Sequence, residues 1–95
     1  LEGIGRGDLK FAYGQVTPAA ASATVVTGLS VVLAAVSCLD GDPDTDATDP
    51  AATSCSIGDQ AGTPAAGSIL VKSWQDDFSA ASANWVAINW IAIGY

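Results

Sequence analysis

Four carboxylates at alternate positions, Asp40, Asp42, Asp44 and Asp46, are the first residues here whose spacing suggests chemistry. Oxygens spaced in this way can converge on one Ca²⁺ ion. A calcium loop of that kind also needs Gly at its sixth position and a bidentate Glu at its twelfth. Counted from Asp40, those positions hold Thr45 and Ala51, and Pro43 stiffens the backbone between two candidate ligands. The reading favoured is a solvated acidic loop over 40–50, with no metal. It carries one sign of charge, two prolines and no apolar residue larger than Ala.

Cys38 and Cys55 bracket that loop. If the two flanking segments lie side by side, their Cα atoms can come within bridging distance. A disulfide there would close a loop of about 16 residues, contributing on the order of 3 kcal/mol. Two small buried thiols are the equal alternative, natural in a reducing compartment. With two Cys and no His, a four-ligand zinc site is excluded.

Catalytic groups are scarce. The absence of His removes Ser-His-Asp and Cys-His arrangements. No carboxylate sits inside an apolar run, where burial would raise its pKa toward that of a general acid. Asp76 and Asp77 are adjacent, and neighbours in extended chain point to opposite faces, so they form no dyad. The segment Gly3-Ile4-Gly5-Arg6-Gly7 lacks the Lys and the strand–helix setting of a phosphate cradle. Arg6-Gly7-Asp8 spells an adhesion tripeptide, but a three-residue match carries little weight. The expectation is a non-enzymatic protein without cofactors.

Charge narrows the partners. Ten acidic residues against three basic ones give a net charge of −7. Nucleic acid and anionic membrane surfaces both require clustered cations, so neither is an expected partner. An acidic, soluble surface or a module that meets a positively charged partner fits better. Residues 1–10 show no secretory pattern, and the apolar run 29–39 is too short to span a bilayer. The run ends in Leu33-Ala34-Ala35-Val36-Ser37-Cys38, which imitates a lipid-attachment site, but no basic segment precedes it.

The elements that must position these residues are short. Residues 1–8, with three glycines, read as a flexible arm, and 9–95 as one domain. Leu9 to Tyr13 alternates enough to be a strand ended by Gly14. Residues 22–27, 29–38, 54–57 and 68–74 follow as strands, separated by turn-forming and polar stretches. The run 29–38 is ambiguous by periodicity, and its Val content favours strand. Residues 84–95, Asn84-Trp85-Val86-Ala87-Ile88-Asn89-Trp90-Ile91-Ala92-Ile93-Gly94-Tyr95, hold no charge and form the strongest strand candidate. One face carries Trp85, Ala87, Asn89, Ile91 and Ile93, the other Val86, Ile88, Trp90, Ala92 and Gly94. Both are apolar, as in a strand buried twice, or buried once and covered by a neighbouring subunit. Trp74, Trp85, Ile88, Trp90 and Ile91 are therefore the candidate core or interface residues, although Trp also serves as a sugar-stacking platform. The fold class expected is an all-β antiparallel sandwich of about six strands with an acidic loop insertion.

Three segments, Val26-Thr27-Gly28-Leu29-Ser30, Ser68-Ile69-Leu70-Val71-Lys72-Ser73-Trp74 and Val86-Ala87-Ile88-Asn89-Trp90-Ile91-Ala92-Ile93-Gly94, resemble small β-sandwich proteins of tailed bacteriophages. More distantly they are similar to the H-type lectin sandwich, whose last strand ends in a related Trp-x-Ala-x-Gly. The resemblance implies a trimer assembled through one sheet and a place on the virion, as a capsid decoration (cement) protein touching the major capsid protein or another virion protein. A trimeric lectin-like carbohydrate- or receptor-binding module of a phage fibre is the alternative. A secreted, disulfide-stapled adhesion domain is a third option. No sugar-site residue of the lectin family matches a position in this chain, and the loop 40–50 is longer than the family pattern.

Overall fold

The computed structural model describes residues 9–18, 21–42, 50–58, 64–81 and 86–95. The arm 1–8, most of the acidic loop and Trp85 lie outside the described residues. Six strands follow in order: β1 Lys10–Val16, β2 Ser22–Val26, β3 Val32–Leu39, β4 Ala52–Ser56, β5 Ser68–Trp74 and β6 Ile88–Gly94. They form two three-stranded antiparallel sheets. Sheet A has the order β1-β6-β3 and sheet B the order β2-β5-β4. The sheets pack face to face as a small β-sandwich.

Each sheet is centred on its most apolar strand. β5 turns Ile69, Val71 and Ser73 inward, and β6 turns Ile88 and Ala92 inward, all of them buried. With Val32 the apolar members form the core, and Val16, Val25, Leu29, Ala35, Leu39, Cys55, Ile57 and Trp90 pack around it. Burying side chains of this size contributes about 1.5–3 kcal/mol each for the Val and Ile residues. A hydroxyl pair also spans the layers. Ser37 on β3 and Thr53 on β4 share a hydrogen bond of 2.6 Å, so neither leaves a lone polar group between the sheets.

Two glycines mark where backbone or ring approaches closely. Gly14 does not end the first strand. It pairs with Trp90, and a Cβ there would lie 2.9 Å from the indole Cζ2. The missing side chain is what allows the Trp90 ring to lie across β1 inside the sandwich. Gly94 faces the Val31 carbonyl so closely that any Cβ would collide with it. Beside it, Tyr95 N–H donates to Val31 O (3.1 Å), while Ser30 and Val31 N–H both donate to Tyr95 O (2.6 and 3.1 Å).

These contacts explain one shifted boundary. The third strand starts at Val32 rather than at Leu29, because residues 29–31 are drawn into the turn that clasps Tyr95. A bulge between Val32 and Ala34 follows, leaving Leu33 without a rung partner.

Candidate interaction surface

The outer face of sheet A is built from three rungs. β1 and β3 flank β6 in register, so Phe11, Ile93 and Ala34 form one rung, and Tyr13, Ile91 and Val36 the next. Period-two alternation places all six on the side away from the core. None is charged. Phe11, Tyr13, Val36 and Ile91 are exposed, Tyr13 at 82% and Ile91 at 40%. The third rung is polar and consists of Gln15, Asn89 and Cys38. Gln15 Nε2 donates to Asn89 Oδ1 (2.9 Å), and Asn89 Nδ2 donates to Asp40 Oδ1 (3.3 Å). The surface is thus an apolar field closed at one end by an amide–carboxylate rim.

Such a surface has a physical cost in a monomer. Charged residues normally cap an exposed sheet face, and contiguous apolar patches of a few hundred Å² mark contact sites. With strands about 4.8 Å apart and rungs about 6.8 Å apart, the two apolar rungs project roughly 200 Å². A standard stable interface needs about 800 Å² per partner. The two apolar rungs alone are therefore well short of a standard interface.

The residues singled out in the sequence fall in different places. Ile88 is fully buried and belongs to the core, whereas Ile91 stands on the exposed face of the same strand. Trp90 faces inward against Gly14, half-buried. Trp74 faces outward from sheet B, so the two indoles are not part of one site. Cys38 is exposed on the outer face of sheet A, while Cys55 lies half-buried on the inner face of sheet B. Both are free thiols, and Cys38 is not the buried thiol expected of an unbridged pair. They bracket the acidic loop in sequence, but β3 and β4 carry them on different sheets, Cys38 outward and Cys55 inward. Burial pushes the Cys55 thiol pKa up.

One surface was missed by sequence reasoning. The outer side of sheet B mixes hydroxyls from Ser22, Thr24, Ser54 and Ser56 with the apolar side chains of Val26 and Leu70. At one end Trp74 Nε1–H donates to Ser54 Oγ (2.9 Å), and the Lys72 ammonium lies 5.4 Å from the indole centroid. Beyond it the chain turns sharply. Gln75 N–H donates to Ser79 O (2.7 Å), Phe78 N–H donates to Gln75 O (3.1 Å), and Trp74 bridges Ala80. Asp77 Oδ1 accepts from both the hydroxyl and the N–H of Ser79 (2.6 and 2.9 Å), which holds its carboxyl below the usual carboxylate range. Phe78 sits in this turn at φ 65°, a left-handed conformation that costs a bulky residue roughly 1–2 kcal/mol, and the residue is 79% exposed. The sequence signal was only an isolated Phe in a polar stretch.

Among the described residues, no three His, Cys, Asp or Glu side chains gather as a metal site, and no helix is long and apolar enough to cross a membrane. Comparison with protein-family models, with curated proteins and with solved structures returned no match for this chain.

Proposed function

We propose that this chain is a non-enzymatic structural protein that works by adhesion, joining copies of itself through the outer face of sheet A. The observation that carries the reading is the pair of uncharged rungs, Phe11-Ile93-Ala34 and Tyr13-Ile91-Val36, left uncovered on a chain of net charge −7. Like-charged copies repel through most of their surface, so a neutral apolar field is where they can meet. Catalysis has no comparable support, since the chain contains no His.

The setting we propose is the capsid surface of a tailed bacteriophage. There the chain would act as a trimeric decoration protein held on the major capsid protein or another virion protein. This setting rests on the resemblance of the three sequence segments alone. Quantitative mass spectrometry of purified particles tests it. A decoration protein should be present in several hundred copies, and absence from the particles contradicts the setting. The lectin-like alternative draws on a different part of the molecule, the aromatic end of sheet B.

A further inference from the structure

We propose that the concavity between Trp74 and Phe78 is a binding site for a neutral saccharide, on the opposite side of the sandwich from the self-association face. The inference does not depend on the assembly reading, because the two surfaces share no residue. The concavity measures about 370 Å³ and is lined by Ala52, Thr53, Ser54, Trp74 and Phe78. That volume lies in the range of small-ligand sites.

Its walls select the chemistry. The indole N–H of Trp74 is taken by Ser54, which fixes the orientation of the ring as one wall of the concavity, with Lys72 over the ring. Phe78 supplies a second, exposed ring from a turn that Asp77, Ser79 and Gln75 hold together. Ala52 adds only a methyl group to the lining between them. The Ser54 hydroxyl still has a proton to donate, and Lys72 adds donors beside the indole. Ring faces with hydroxyl and ammonium groups at their border match a pyranose, which is apolar on its faces and ringed with hydroxyls. Asp76 and Asp77 immediately precede Phe78 on a chain of net charge −7, which disfavours sialylated or sulfated sugars.

The test is titration of the full ¹⁵N-labelled chain with maltotriose, cellotriose, chitotriose and sialyllactose, following the indole N–H resonances. At least one neutral trisaccharide should shift the Trp74 signal saturably at millimolar concentration, and sialyllactose should bind more weakly. Phe78→Gly suits the positive φ and keeps the fold, yet it should weaken binding at least tenfold. Ile91→Ser, on the opposite sheet, should leave binding unchanged. The site is overturned if none of the sugars shifts the signal, if Phe78→Gly binds as well as the parent, or if only a proline-rich peptide titrates it.

Discussion

Sheets A and B are built alike inside and differently outside. Each has a central strand, β6 or β5, whose inward residues are buried apart from half-buried Trp90. On the outside, sheet B mixes serines, a threonine and Lys72 with Val26, Leu70 and Trp74, whereas the first two rungs of sheet A are wholly apolar. The core dictates the inner faces, because any six-stranded sandwich of this size must bury them. Solvent would allow polar residues on both outer faces. The departure from that expectation on sheet A is therefore informative about what the molecule meets, not about how it folds.

The most drastic way to break this comparison is to charge the two faces of β6 separately. Ile88→Asp places a carboxylate in a fully buried position with no partner and should cost more than about 4 kcal/mol, abolishing the cooperative thermal transition. Ile91→Asp, three residues away and 40% exposed, should keep that transition near the parent's. If both variants unfold, the outer face is core and the comparison fails.

A second substitution probes the inner face at its tightest point. Gly14→Val drives side-chain atoms into the Trp90 ring and should cost about 1–3 kcal/mol, seen as a lower denaturation midpoint with an altered near-ultraviolet Trp signal. A smaller loss, about 1 kcal/mol, is expected for Ser37→Ala, which strips Thr53 of its partner between the sheets. Adding Thr53→Val to Ser37→Ala should recover part of that loss. A strictly additive double variant would mean that the hydroxyl pair does not couple the layers.

The smallest effect concerns pH. Because burial raises the pKa of the folded Cys55 thiol, the unfolded chain releases its proton first as pH passes the ordinary thiol range of about 8.5. The folded state then holds more protons, so this contribution is complete at neutral pH and is lost as pH rises through the folded value. Comparing unfolding of the parent with Cys55→Ala between pH 7 and 10 isolates it. At neutral pH a thiol reagent should label exposed Cys38 well before Cys55.

How far the sequence reaches is visible strand by strand. Ser68–Trp74 was legible with its full bounds, since Ile69, Leu70 and Val71 sit between turn residues. The two-faced character of β6 was also legible, because alternation alone separates Ile88 from Ile91. Gly14 misled the reading of β1: a glycine usually interrupts a strand, and only the Trp90 ring across the rung explains its place there. Sheet order was not legible. β6 lies between β1 and β3, strands separated from it by most of the chain, and no local pattern encodes such pairings. The Trp74–Phe78 concavity was hidden for a related reason, as it depends on a turn that places Phe78 at positive φ.

The claim that the outer face of sheet A is an assembly surface is tested most directly by sedimentation equilibrium of the parent and Ile91→Asp, from micromolar to several hundred micromolar. The account predicts that the parent rises above its 9.5 kDa monomer mass as concentration increases, while the variant stays monomeric and folded. A parent that remains an ideal monomer throughout, or a folded variant that associates equally well, would contradict it.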